Sequence, residues 1–166
     1  MSTFHKLSIK NIIQETASAV SIVFNVPENL KTNFSFKAGQ YLTLKTEIEG
    51  EEIRRAYSIC SSPESGELKV AIKAVENGIF STYATSQLKV RDTLEVHEPE
   101  GNFILNPAKT KNYIGFTAGS GITPVLSMIK AVLEQEPSSS FTLIYGNKSA
   151  EETIFKSELE TLSEEY

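Results

Sequence analysis

Apolar residues recur at every second position through much of the first hundred residues. In "AVSIVFNV" Val20, Ile22, Phe24 and Val26 fall on one side; Leu42, Leu44 and Ile48 do so in "YLTLKTEI", and Leu68, Val70 and Ile72 in "ELKVAIKAV". A period of two predicts strands with one face on a core and the other towards solvent or ligand. Turn signals separate the runs: Pro27-Glu28-Asn29, Ala38-Gly39, Glu49-Gly50, Pro63 with Ser65-Gly66, and Asn77-Gly78. Several short strands at this spacing predict an antiparallel barrel or sandwich.

Near Asn106-Pro107 the pattern changes. "NYIGF" is a short apolar run of the kind expected for a strand buried on both faces, followed by "TAGSGITP" and apolar residues at Val125, Met128, Ile129, Val132 and Leu133. That spacing is helical. Thr123 is placed to act as N-cap and Pro124 to occupy the first turn. "FTLIYG" predicts a second apolar strand, and "SAEE" reads as a capping box opening a helix with Phe155, Leu159 and Leu162 on one side. Strand, helix, strand, helix implies parallel pairing. The expected division is therefore an all-β unit over residues 1–107 and an α/β unit over 108–166. Parallel sheets are normally covered on both faces by a larger structure. The chain ends at "LSEEY" where a third strand is expected, and it reads as truncated.

Composition narrows the function. The 166 residues are 40% hydrophobic and 9% aromatic, which suits a globular protein with a real core. A net charge of -5 argues against nucleic acid or an acidic membrane surface as the partner, so a phosphate-bearing ligand has to be met by local cations and backbone N–H groups. The one cysteine, Cys60, rules out a disulfide framework within the chain and cannot supply the four thiolates an iron–sulfur cluster usually needs; no metal site is expected. No apolar run approaches the ~20 residues of a membrane span and the first residues lack a signal-peptide core, so a cytoplasmic protein is expected.

Three short stretches carry candidate chemistry. In "RRAYSIC", Arg55 offers a planar fork suited to a pyrophosphate, Tyr57 a flat surface for an aromatic ring, and Ser58 a hydroxyl. Strand alternation turns Arg55 and Tyr57 one way and Ala56 and Ser58 the other, unless the strand end twists. In "NGIFSTYATSQL" a turn leads into a short helix with Ser81 as a capping candidate, and a helix start after Gly78 presents unpaired N–H groups to an anion. In "TAGSGITP", Gly119 and Gly121 sit at a strand-to-helix corner, where open sheets bind ligands. Each stretch alone is also an ordinary turn, and Lys73 alone is an ordinary solvated strand lysine.

Taken in order, Arg55-Ala56-Tyr57-Ser58, Gly78-Ile79-Phe80-Ser81 and Gly119-Ser120-Gly121-Ile122-Thr123-Pro124 resemble the ferredoxin–NADP⁺ reductase family. The final "YGNKSAEETIFKSELETL" resembles the reductase components of ring-hydroxylating and phenylacetyl-CoA oxygenase systems. The resemblance implies a six-stranded antiparallel FAD-binding barrel followed by an incomplete Rossmann-like nucleotide-binding domain. It implies that Arg55 binds the FAD pyrophosphate, that Tyr57 stacks on the isoalloxazine and that Ser58, with Ala56 beside it, bonds near N5. Gly78, Ile79, Phe80 and Ser81 would supply pyrophosphate contacts, and Ile72 and Lys73 would lie near the ribityl–phosphate region. Gly119, Ser120, Gly121 and Thr123 would face the nicotinamide half of NAD(P)H, and Asn147 and Lys148 its ribose, with Lys148 towards a 2′-phosphate. The implied activity is electron transfer from NAD(P)H through FAD to an iron–sulfur acceptor, with a 2Fe-2S cluster in a domain or partner outside this chain, such as an oxygenase. The family's Cys-Gly segment near nicotinamide and its plant-type ferredoxin domain are missing here. Two other readings stand beside this one: an FAD-binding electron-transfer subunit without its own NAD(P)H site, and a non-catalytic ligand-binding barrel.

Overall fold

A computed structural model describes residues 3–107 and 110–166. Six strands form one antiparallel sheet: β1 (Phe4–Thr16), β2 (Ala19–Asn25), β3 (Tyr41–Ile48), β4 (Glu51–Ser58), β5 (Leu68–Lys73) and β6 (Thr93–His97), in the order β4-β3-β6-β1-β2-β5. The sheet curls until its ends meet, and a bridge between Ile59 and Val70 joins the chain just past β4 to β5. The alternating residues named above fill the resulting barrel: Val20, Ile22, Phe24, Leu42, Leu44, Leu68, Val70 and Ile72 belong to one buried cluster. Glu49 and Gly50, both at positive φ, make the tight turn between β3 and β4, as a two-residue hairpin loop requires. Helix α1 (Ile79–Ser86) drives Phe80 and Ala84 into the same cluster.

The second unit is β7 (Asn112–Ala118), α2 (Ile122–Gln135), β8 (Ser140–Gly146) and α3 (Lys156–Glu165). β7 and β8 pair in parallel, as the strand–helix–strand order predicts. The expected boundary between residues 107 and 108 abuts residues 108–109, which lie outside the described residues.

Four local expectations are corrected. β2 and β5 are not open on their outer face: Ala19 and Ala71 are buried against Ile122, Val125, Leu126 and Ile129, because α2 lies across them. β7, conversely, is not buried on both faces. Ile114 and Phe116 are 65% and 73% exposed, and Ile144 of β8 is 51% exposed, because α2 and α3 both pack on the opposite side of the two-stranded sheet. Thr123 is not the N-cap of α2; a 3₁₀ turn at Gly119–Gly121 leads into the helix, Gly121 holds the cap position, and the Thr123 hydroxyl donates to the Ser120 carbonyl at 3.0 Å. Ser149 does not open α3, which begins at Lys156 after Phe155 takes a left-handed φ of 62° to bury its ring.

Candidate functional site: a cavity between the barrel and the second unit

β4 ends the strand order, its outer edge unpaired up to the closing bridge at Ile59, and its last residues border a cavity of about 410 Å³. Arg55 and Tyr57 pair with Leu44 and Leu42 of β3, so the two share a face, as alternation requires. Ala56 and Ser58 nonetheless line the same cavity, because the cavity wraps around the strand's unpaired edge. The Tyr57 ring rests against Phe80 with centroids 5.7 Å apart, and burial pushes its phenol up to about 12 against the opposing pull of Arg55. Tyr57 is thus a neutral, half-buried plane packed on one side by Phe80. The exposed Arg55 donates one hydrogen bond, 2.7 Å to the Arg54 carbonyl, and has no carboxylate partner among the described residues.

The mouth of α1 borders the same cavity as Arg55. Asn77 adopts a φ of 58°, and Gly78 takes the N-cap position and donates to the Val75 carbonyl at 3.0 Å. Ser81 does not cap the helix. Its hydroxyl accepts from Val75 N–H and donates to the Gly78 carbonyl, both at 3.2 Å, and so closes the turn. The α1 bond from Thr82 N–H reaches back to the Gly78 carbonyl, leaving the earlier amides of Ile79, Phe80 and Ser81 ahead of the helical ladder. Such amides and a guanidinium without an acidic partner are an anion-binding pair.

The third wall comes from the second unit: Ser120, Gly121, Thr123 and Pro124 line the cavity. Gly119 has a φ of +51° with open space where a side chain would stand, and its carbonyl accepts from the Tyr145 hydroxyl at 2.9 Å. Lys73 also lines the cavity, but its ammonium pairs with Glu152 of the β8–α3 loop at 2.8 Å, and that hydrogen bond holds the Glu152 carboxyl below the usual range.

Three stretches far apart in sequence thus converge: Arg55, Ala56, Tyr57, Ser58, Lys73, Gly78, Phe80, Ser81, Ser120, Gly121 and Thr123 border one space. Five named residues do not line it. Ile72 points into the barrel core, Ile79 is largely exposed, and Gly119, Asn147 and Lys148 lie beyond the lining. Ala71 and Val75 line it without having been singled out, and Pro124, read above only as a helix-start residue, lines it too. For Ala71 the signal was available, since it alternates with Ile72 and shares a face with Lys73. Cys60 sits just past the cavity edge, fully buried, and burial pushes its thiol up to about 12. It should therefore resist alkylation at pH 8 in the folded chain and react at the normal rate in denaturant; prompt labelling of folded protein would contradict this burial. A thiol with a raised pKa favours the folded state below the unfolded value. Its contribution is lost as pH climbs from about 9 towards about 12.

Residues 6–104 match the model of the oxidoreductase FAD-binding domain and residues 116–166 that of the oxidoreductase NAD-binding domain. The chain belongs to this ferredoxin-reductase family of FAD- and NAD-binding oxidoreductases. It is 45% identical to one of the subunits of the 1,2-phenylacetyl-CoA epoxidase of Escherichia coli (strain K12), over 100% of this chain and 47% of that protein. It is 36% identical to the ferredoxin reductase component of the 3-ketosteroid-9-alpha-monooxygenase of Rhodococcus rhodochrous, over 96% of this chain and 46% of that one. Phthalate dioxygenase reductase, described as a modular structure for electron transfer from pyridine nucleotides to [2Fe-2S], superposes with a TM-score of 0.80 at 27% identity, covering 94% of this chain and 47% of that one. The chain spans about half the length of the curated relatives it matches.

Proposed function

We propose that the cavity holds FAD, with residues 1–107 as the flavin unit and 108–166 as part of a pyridine-nucleotide unit. The protein to which they belong passes electrons from NAD(P)H to an iron–sulfur acceptor, as the reductase of an oxygenase system working in the cytoplasm. The observation that carries the reading is the meeting, in one cavity, of an arginine without an acidic partner among the described residues, the free amides of a helix start, and a half-buried tyrosine plane beside a hydroxyl. Those donors fit a dinucleotide: Arg55 and the α1 amides would meet the two phosphates, Tyr57 the ring face, and Ser58 its polar edge. The bound coenzyme supplies hydride-accepting and single-electron chemistry; the protein supplies orientation and a fixed electrostatic setting. Ser120, Gly121 and Thr123 border the cavity from the second unit, the side from which a nicotinamide would approach the ring. Kinship with a component of the phenylacetyl-CoA epoxidase supports an oxygenase as the final acceptor.

The test is anaerobic addition of NADH and NADPH to the FAD-loaded chain. Bleaching of the flavin's visible band supports direct reduction by a pyridine nucleotide. A persistent band with both donors, in this chain and in a form as long as its relatives, points instead to an electron-transfer subunit fed by a partner protein.

The Lys73–Glu152 pair yields a further expectation. Replacing Glu152 with glutamine removes a negative charge from the cavity rim and releases Lys73 towards the phosphates, so FAD should bind severalfold more tightly at low salt, less so as salt rises. Unchanged or weaker binding in a titration would place Lys73 outside the anion's reach.

A further inference from the structure

α2 does more than carry the nucleotide-side loop. One stripe of its surface, Ser127, Lys130 and Glu134, is spaced three and four residues apart and so lies on one face. That face meets the segment that continues β4 beyond the cavity. The fully buried Ser127 hydroxyl donates to the Ser61 carbonyl at 2.7 Å, the Lys130 ammonium to the Cys60 carbonyl at 3.4 Å, and the Ser62 hydroxyl to the Glu134 carboxylate. Lys130 is itself held by Glu158 of α3 at 2.5 Å. Glu158 also lies 3.8 Å from Lys69 of β5, whose ammonium stands 5.1 Å above the Phe155 ring and 3.8 Å from Glu15 of β1. The far side of the segment is fixed by the barrel: Cys60 N–H donates to the Lys69 carbonyl at 2.9 Å, and the Ser61 hydroxyl to the Glu67 carbonyl at 2.8 Å.

We propose that Ser127 and Lys130 are positioning residues for the Tyr57–Ser58 edge: by holding the Ser61 and Cys60 carbonyls they make that edge and the nucleotide-facing start of α2 one rigid body. Distances favour this. Ser61 is three residues past Ser58, at most about 10 Å along extended chain, and Ser127 is one helical turn, about 6 Å, past Thr123. Thr123 and Ser58 line the same cavity, so the seam ties together the two elements that border it, the strand end and the helix start. The inference rests on the reading of the cavity as a flavin site and adds to it the device that sets ring against nucleotide loop.

The test uses the full 166-residue chain saturated with FAD. Ser127→Ala and Lys130→Met leave Arg55 and the α1 amides in place, so affinity should stay within severalfold of the parent. The flavin fluorescence at saturation, quenched in the parent by the Tyr57 ring, should rise by about twofold or more as the plane loosens. Lys130→Arg, which keeps the cation, should return it to the parent value. If Ser127→Ala does not fold, the Lys130 pair decides alone. Variants that melt lower yet keep the parent's fluorescence at saturation would overturn the proposal and leave both residues as ordinary packing. A parent chain that changes neither the absorbance nor the fluorescence of added FAD would instead sink the flavin reading, and this inference with it.

Discussion

Replacing Arg55 with alanine is expected to weaken FAD binding by about 10- to 150-fold, the equivalent of about 1.5–3 kcal/mol for a lost charge-assisted, bidentate contact. The side chain is well suited to a clean experiment. It is exposed, its hydrogen bond is to the neighbouring Arg54 carbonyl, and it makes no ion pair among the described residues. Its loss should leave stability within about 0.5 kcal/mol of the parent. Arg55→Lys should recover part of the affinity, since an ammonium keeps the charge without the planar fork. Equilibrium titration with FAD, with a thermal melt on each variant, reads both quantities. Unchanged affinity in Arg55→Ala would remove the pyrophosphate from this end of the cavity.

Gly39→Ala is expected to be strongly destabilising. Gly39 has a φ of +101°, where a side chain is strained, and an added Cβ would fall inside contact distance of the Phe103 carbonyl oxygen and the Met128 side chain. Methionine can move; a backbone carbonyl cannot move alone, because the neighbouring Leu105 N–H is bonded to the Ala38 carbonyl at 3.1 Å. Strain and overpacking together should cost about 3–5 kcal/mol, or roughly 10 °C in melting temperature for a chain of this size. Gly39 is where a barrel turn, the segment leading to the second unit and α2 touch, so the cost should appear in the cohesion of both units. A melt within a degree or two of the parent would contradict this packing.

Much of the architecture could be read from the chain because the relevant signals are local. Period-two runs mark β2, β3 and β5 of the barrel, and a 3.6-residue period marks α2. The three ligand-facing stretches stood out because each combines a glycine or strand end with a donor. What was hidden depends on distant partners. Nothing near Ala19 or Ala71 shows that α2 will cover the outer face of β2 and β5, and nothing near Lys73 shows that Glu152 will take its ammonium. The start of α3 was misplaced for a similar reason. Ser149 and Glu152 have the spacing of a capping box, but Phe155 finds a buried site shared by the barrel and the second unit, and its left-handed turn sets the helix start. The bare faces of Ile114, Phe116 and Ile144 show the converse, two strands whose apolar composition exceeds what the described residues cover.

The claim on which the account depends is that one dinucleotide lies between Arg55 and α1 with its ring on Tyr57. A crystal structure of the FAD complex tests it most directly. The account predicts pyrophosphate oxygens about 2.7–3.2 Å from the Arg55 guanidinium and the first α1 amides, with the flavin plane over Tyr57 and its polar edge at Ser58. FAD bound with its phosphates away from Arg55, or its ring away from Tyr57, would contradict it.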